Sequence, residues 1–197
     1  MRSGKGGRSN RSPIPGSEMA NACDTILLSV GLIPENELTR QAGIAIDSRT
    51  GGAIVFQDAQ TSVPGVFACG NAVHVHDLVD FVTEESMRAG KAAARFARLD
   101  NQRECAVLEL RNGAGVTYTV PQRIRVDRLE AATDIFFRVS RIFGKSVIKV
   151  VSGGEVIAKY RREYLVPGEM ERIALPKKLV ERASADTLEL MVEEAEA

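Results

Sequence analysis

The segment Thr61–Asn71 constrains this chain more than any other stretch. Val63-Pro64-Gly65 is a turn signal, because proline presets one backbone angle and glycine tolerates the angle that follows. Val66–Cys69 is then an apolar run of four, which favours a short parallel strand covered on both faces, although four residues do not exclude a buried piece of helix. Gly70 and Asn71 end the run, so the pattern predicts a polar side chain at the carboxyl end of a strand.

Gly70 is the position where a ligand could come close to the backbone. It has no Cβ, and the amino end of a following helix supplies N–H donors and a partial positive charge suited to phosphate or a reduced cofactor. A helix-like run, Thr83–Ala94, follows shortly. In open α/β sheets ligands bind at the carboxyl ends of strands. The segment therefore predicts a ligand site in which Asn71 is the first side chain within reach.

These residues resemble a flavin-contacting motif of the pyridine nucleotide-disulfide oxidoreductase superfamily, especially its thioredoxin-reductase-like members. That motif has a Thr, a Pro-Gly turn, an apolar strand and then Gly-Asp, whose Asp binds the ribitol of FAD. The resemblance implies flavin contacts at Gly70 and Asn71 and a helix from about Phe81 to Arg98. Asn71 replaces the family's Asp; it carries no charge, but it can both donate and accept a hydrogen bond.

The upstream residues agree with this interpretation. Asp24–Pro34 is similar to the strand and Gly-x-x-Pro turn by which the same superfamily returns to its FAD domain. Residues 43–47 and 52–56 are two β-prone runs around a glycine turn, which predicts a hairpin. Residues 22–103 are therefore expected to form a partial FAD-binding domain, an α/β flavin-domain fragment made of a β-hairpin, a parallel strand and a long helix.

Two motifs of complete enzymes of this kind are absent from the sequence. No G-x-G-x-x-G follows a predicted strand, since the glycines at 4–7 and 113–115 lack a βαβ context. Cys23, Cys69 and Cys105 are too far apart in sequence to form a C-x-x-C pair. We therefore expect a carboxyl-terminal part of a longer oxidoreductase. FAD, and NAD(P)H in the complete enzyme, would require a missing amino-terminal FAD/NAD-binding portion or a partner subunit, and a homo-oligomer is possible.

Composition limits the remaining function classes. The 26 basic and 26 acidic residues balance, which gives no reason to expect nucleic acid or an anionic membrane as partner. Residues 1–21 carry dispersed basic residues among Gly, Ser and Pro, which favours a disordered arm rather than a secretory leader. No apolar run approaches the roughly 20 residues of a membrane span. Three cysteines without disulfide-like spacing suit a reducing interior, so a cytoplasmic location is expected.

Residues 104–197 change to a strand-like pattern. Candidate strands are 116–120, 134–140, 146–151, 155–160, 169–175 and 187–192, and Ser152-Gly153-Gly154 predicts a hairpin between two of them. Residues 134–141 alternate apolar and polar side chains, which is typical of a half-buried antiparallel strand. We expect a small all-β, sandwich-like domain. Around 164–170 it resembles, loosely, an extension of some bacterial FAD/NAD oxidoreductases encoded near glycerol-3-phosphate dehydrogenases, and no catalytic role is assigned to it.

Several polar side chains follow Asn71. His74 and His76 are the only histidines of the chain, and no Cys or third ligand lies nearby in sequence to favour a metal site. They are interpreted as loop residues, either near the pyrimidine edge of a flavin or without a special role. Glu84 and Glu85 diverge by about 100° on a helix, so they cannot face one ligand together. Glu84 is assigned to the flavin side and Glu85 to the charge of the helix amino end. The predicted cofactor-binding residues are Gly70, Asn71, Ala72, His74 and Glu84, with no metal.

These observations predict a part of an FAD-dependent NAD(P)H oxidoreductase that supplies ribitol and pyrimidine-end contacts, while the catalytic residues stay unassigned. Two alternatives remain open at this stage. The first is a non-catalytic interaction or structural module, whose β domain docks a partner. The second is a shortened product without a stable function, whose exposed sheet edges would promote association.

Overall fold

A computed structural model describes residues 2–3, 14–20, 22–25, 31–98 and 105–195. The chain divides into two compact units, Met1–Gly31 and Leu32–Ala197. In the first unit, strand β1 (Arg2–Ser3) pairs antiparallel with strand β2 (Met19–Ala20). Residues 26–30 of the predicted strand over 24–34, and most of the predicted basic arm, lie outside the described residues.

The first part of the second unit contains two helices and a compact set of loops. Helix α1 (Glu37–Gln41) is short, whereas helix α2 (Val79–Arg98) has 20 residues and begins two residues before the expected start. The predicted hairpin over 43–56 is reduced to one antiparallel bridge between Ile46 and Ala53. Gly51 stands in the turn with a φ of 72°, a conformation that suits glycine.

The predicted parallel strand over Val66–Cys69 is wrong for the described residues. Phe67 makes one isolated antiparallel bridge to Gln60, and the backbone N–H of Thr61 donates to the carbonyl of Val66. The segment therefore folds back on the residues directly before it. A parallel strand needs a neighbour from a distant part of the chain.

The second part of the unit is rich in strands. In chain order they are β3 (Val107–Asn112), β4 (Val116–Val120), β5 (Arg123–Arg125), β6 (Ala132–Val139), β7 (Ser146–Ser152), β8 (Glu155–Arg162), β9 (Glu171–Pro176) and β10 (Thr187–Glu194), with the short helix α3 (Lys177–Val180) after β9. One sheet has the order β5-β3-β10-β7-β8 and the other the order β4-β6-β9. Among the pairings of the described strands, that of β10 with β3 alone is parallel, and Arg123 of β5 adds an isolated parallel bridge to Phe56. The described chain is thus a mixed α and β structure.

Buried side chains from both sheets form one hydrophobic cluster. Its fully buried members include Ile124, Ile135, Phe137, Ile148 and Leu190. The six predicted strands correspond to β4 and β6 to β10, and the β7–β8 hairpin turns at Gly153 and Gly154, which both have positive φ. The sequence analysis missed β3 and β5. No described helix is apolar over a stretch long enough to cross a bilayer.

Strand β6 is buried on both faces, which differs from the half-buried strand that the sequence predicts. Phe137 lies in the cluster between the sheets, whereas Phe136, which is 1% exposed, points to the other face. There its ring contacts His74, His76 and Phe81. The residues before β3 therefore cover the outer face of the smaller sheet.

At Gly52, two loops of this first part pack closely against each other. A Cβ built on Gly52 would lie 1.8 Å from the carbonyl oxygen of Val73, which is a backbone atom and cannot rotate away. Val73 and Ala53, both 0% exposed, belong to a second apolar cluster that reaches Tyr118 and Val120 on β4. Close backbone packing at Gly52 thus fixes the position of the residues that follow Gly70.

We predict that Gly52→Ala destabilises the protein by at least about 1–3 kcal/mol, because the added methyl group forces two backbone segments apart. The free energy of unfolding in urea measures the effect. Gly90→Ala is the matched control, since Gly90 is an exposed position inside α2 with open space around its Cβ direction. It should stabilise the protein by about 0.5–1 kcal/mol. Equal unfolding free energies for the two variants would contradict the packing described for Gly52.

Candidate functional site

The turn at residues 70–72 is a short 3-10 helix whose inner side is tied to the rest of the fold. Gly70 has a φ of 64°. The carbonyl oxygen of Ala72 accepts hydrogen bonds from the side chain of Asn36 at 2.9 Å and from the backbone N–H of Ala53 at 3.3 Å. Asn36 is itself 2% exposed. The backbone of the turn is therefore held in place from one side.

Asn71 lies on the other side of this turn and is exposed. Its Oδ1 accepts a 3.3 Å hydrogen bond from the backbone N–H of His76, which orients the side chain. Its Nδ2 has no partner among the described residues. Asn71 therefore presents an oriented amide group that can donate hydrogen bonds to a ligand.

Glu85 contacts the turn from inside, a contact that the sequence analysis did not predict. Its carboxylate accepts a hydrogen bond from the backbone N–H of Gly70, so this N–H is already occupied. Glu85 is 5% exposed and lies in the second turn of α2, because that helix begins at Val79. The interpretation of Glu85 as a charge at the helix amino end is therefore wrong.

A sequence signal for this burial exists. Val82, Ala89 and Phe96 follow the helical spacing of an inward stripe, and Glu85 occupies the position between Val82 and Ala89 where an apolar residue would be expected. The helical periodicity, applied from the actual start of α2, would thus have identified Glu85 as a buried acid. Such a group needs hydrogen-bonding or charged partners.

The partners are the two histidines of the chain. Nε2 of His76 lies 3.1 Å from Oε2 of Glu85, and Nε2 of His74 lies 3.5 Å from Oε1. The ring centroids of His74 and His76 are 4.1 Å apart. His74 is 1% exposed and His76 is 8% exposed. These three side chains, which we call the His-Glu cluster, are brought together from a loop and a helix.

Burial and the internal contacts set the proton affinity of the His-Glu cluster. Burial alone would raise the pKa of Glu85, but its contacts with His74 and His76 and the hydrogen bond from Gly70 outweigh this effect and lower the pKa to about 2. For His74, desolvation by burial lowers the pKa, although Glu85 acts in the opposite direction. The carboxylate of Glu85 is consequently ionised at neutral pH.

A second set of contacts connects this region to the strands. Arg138 on β6 forms an ion pair with Asp77 and donates a 3.0 Å hydrogen bond to the hydroxyl of Tyr118. Asp77 also accepts a 2.5 Å hydrogen bond from the backbone N–H of Met170, which belongs to the segment 164–170 singled out in the sequence. That segment therefore anchors the loop that carries the histidines.

A cavity of about 320 Å³ lies next to these contacts. It is lined by Leu32, Ile33, Pro34, Arg49, Thr50, His74, Val75, Tyr118 and Arg138. Two arginines and a tyrosine give this wall hydrogen-bond donors and positive charge. The cavity adjoins His74, so the buried His-Glu cluster is close to a space that a small ligand or water can occupy.

Glu84, the remaining predicted cofactor-binding residue, lies apart from the turn. Glu84 is exposed on α2, and its carboxylate pairs with Arg172 on β9 at 2.9 Å. It does not join Gly70, Asn71, Ala72 and His74, because Glu85 occupies the inner position. Cys69 is half-buried and a free thiol. The structure thus groups four of the five predicted cofactor-binding residues and separates Glu84 from them.

Comparison with known proteins covers the region of the site. Residues 5–95 match the family described as pyridine nucleotide-disulphide oxidoreductase. A stretch of 50 residues, 25% of this chain, is 48% identical to the nitrite reductase [NAD(P)H] of Neurospora crassa and covers 4% of that protein. A stretch of 50 residues is 48% identical to apoptosis-inducing factor 3 of Mus musculus and covers 8% of it.

The human apoptosis-inducing factor 3 is 39% identical over 70 residues, which is 36% of this chain and 11% of that protein. The chain therefore matches only a small part of the length of each of these relatives. No solved structure matches the chain. The family match contains the Gly70 turn, the His-Glu cluster and most of α2, so over residues 5–95 the chain is similar to the pyridine nucleotide-disulphide oxidoreductase family.

Proposed function

We propose that this chain is part of an FAD-dependent NAD(P)H oxidoreductase and that the turn Gly70–Ala72 contacts the ribitol of the flavin. The observation that carries the proposal is the exposed side chain of Asn71, oriented by the backbone of His76 on a turn whose inner side is fixed. This position coincides with the flavin-contacting position of the family resemblance. When bound, FAD would supply the redox chemistry, accepting a hydride from the nicotinamide.

The residues present fit such a group in three respects. Asn71 offers a donor without a partner among the described residues, which a ribitol hydroxyl can accept. Gly70 is buried, with a φ of 64° that disfavours any larger residue and a Cβ direction that points at Val82, so it shapes the turn that presents Asn71. Ala72 has a small side chain, and its carbonyl oxygen already accepts a hydrogen bond from Asn36. It therefore leaves space for a ligand and supplies no reactive group.

His74 contributes a wall of the cavity that adjoins the turn. We place the pyrimidine end of the flavin in this direction, because Arg49 and Arg138 on the same wall supply positive charge for a reduced, anionic ring. Glu84 stays a prediction of the sequence. Its carboxylate pairs with Arg172, and we leave it out of the proposed contacts.

The strand-rich residues 104–197 are proposed to be a sandwich-like extension of the flavin domain. Ion pairs from Arg138 to Asp77 and from Arg88 to Asp134 connect the two parts, so the extension stabilises the loop that carries the histidines. The dinucleotide sites would come from an amino-terminal FAD/NAD-binding portion or a partner subunit. An interaction module without catalysis is the competing function, and the flavin experiment distinguishes the two.

We predict that FAD binds when an amino-terminal FAD- and NAD(P)-binding segment of a full-length family member is supplied as a separate polypeptide. Flavin fluorescence and absorbance measure binding, and reduction of a dye by NADH or NADPH measures activity. Asn71→Ala should weaken FAD binding about two- to tenfold, the value of one hydrogen bond, whereas Asn71→Asp should retain it. No flavin binding in any combination, with a folded chain that still binds a protein partner, would favour the interaction module.

We also predict that Glu85→Ala lowers the free energy of unfolding by about 3–5 kcal/mol, since it removes the carboxylate from two buried imidazoles and from the Gly70 amide. Urea unfolding measures the loss. Glu84→Ala, the neighbouring residue in an exposed ion pair, should cost about 1 kcal/mol or less. Similar losses for the two variants would mean that Glu85 does not hold the turn.

A further inference from the structure

We propose that the His-Glu cluster of His74, His76 and Glu85 is a binding site for a borderline divalent transition metal ion of the Zn²⁺ class. Each of these side chains offers one ligand atom, and the atoms all lie within 4.8 Å of one another. This inference does not depend on the proposed flavin contact. It also goes beyond the sequence analysis, which had no third ligand next to the two histidines.

The unpartnered nitrogens of His74 are the first argument. His74 is 1% exposed, yet neither its Nδ1 nor its Nε2 has a hydrogen-bond partner among the described residues. Buried polar atoms are almost always satisfied, so a buried Nε2 whose contact with Glu85 is longer than a hydrogen bond has room for an additional group. The Nε2 is directed at Glu85 at 3.5 Å, which is too long for an ordinary N–H···O hydrogen bond.

The distances within the cluster are the second argument. Two ligand atoms bound to Zn²⁺ at 2.0–2.1 Å and separated by a tetrahedral angle lie about 3.3–3.4 Å apart. The two contacts from the imidazoles to Glu85 measure 3.1 and 3.5 Å, one on either side of this value. The two contacts end on different carboxylate oxygens and the ligand atoms lie within 4.8 Å of one another, so a rotation that brings the side chains closer together would place three ligands on one ion.

The ligand set selects the class of ion. Two imidazoles and one carboxylate suit Zn²⁺ and related transition metals, whereas Mg²⁺ and Ca²⁺ require more oxygen ligands. Three protein ligands leave one coordination position for water or a substrate atom. The cavity beside His74 provides the route of entry and the space for that fourth ligand.

The charges around the cluster permit a cation. Glu85 supplies one negative charge. Two basic groups, Arg49 and Arg138, line the adjoining cavity, and the charge of Arg138 is paired with Asp77. The N–H of Gly70 donates to Oε2 of Glu85, the same oxygen that His76 contacts, and helps to fix the orientation of the carboxylate, as outer hydrogen bonds do for metal ligands.

Zinc binding to the whole 197-residue chain tests this proposal. Isothermal titration calorimetry measures the binding of Zn²⁺ to protein whose three cysteine thiols have been alkylated, so that the thiols do not compete for the ion. We expect one ion per chain. Glu85→Gln should weaken the affinity at least about tenfold to a hundredfold, whereas the control Glu84→Gln, its exposed neighbour, should bind like the unchanged protein.

A second measurement keeps the test informative if Glu85→Gln does not fold. The chain has only two histidines, so long-range ¹H–¹⁵N spectra of the unchanged protein report both imidazoles of the site without overlap. Zn²⁺ should shift the Nε2 signals of both rings, and His76→Gln should abolish saturable binding. The proposal is overturned if the unchanged protein shows no saturable binding, if the imidazole signals do not move, or if folded Glu85→Gln or His76→Gln binds zinc as the unchanged protein does.

Discussion

The buried carboxylate of Glu85 is the interaction on which the rest of the site depends. It is held inside the protein by two imidazoles and by the backbone N–H of Gly70. An ionised carboxylate without such partners would be strongly unfavourable at this depth. The requirement to satisfy it draws the loop with His74 and His76, the turn at Gly70 and helix α2 together. The exposed amide of Asn71 is a consequence of this arrangement, because it lies on the outer side of the same turn.

The contact between the loop and the strands has a similar basis. Arg138 connects β6 to Asp77 and Tyr118, while Phe136 from the same strand packs against His74, His76 and Phe81. One strand thus supplies a charge and an aromatic ring to the back of the site. The strands therefore contribute to the site by packing and orientation, and this region of the structure behaves as a single unit from Leu32 onward.

Much of the strand-rich region could be predicted from the sequence, because alternation and glycine turns are local signals. Ser152-Gly153-Gly154 predicts a hairpin because glycine readily adopts the positive φ that a tight turn needs. In the structure both glycines have positive φ and the hairpin forms. Strands β3 and β5 pair with each other, and neither was predicted. Residues 134–141 were predicted to form a half-buried strand, because alternation within one strand does not reveal what covers the second face of its sheet, where Phe136 lies.

The features of the site likewise fall into those that the sequence predicts and those that only the tertiary structure fixes. The sequence by itself determined the Gly70-Asn71 turn, the long helix and the two histidines, because backbone preferences and spacing are properties of neighbouring residues. Only the tertiary structure decided that Glu85 rather than Glu84 reaches the turn, and that the short apolar run before Gly70 pairs with Gln60 instead of joining a parallel sheet. Those outcomes depend on where α2 begins and on which distant groups are available. Burial, hydrogen bonding and ion pairing between remote segments fix both conditions, and no local pattern carries that information.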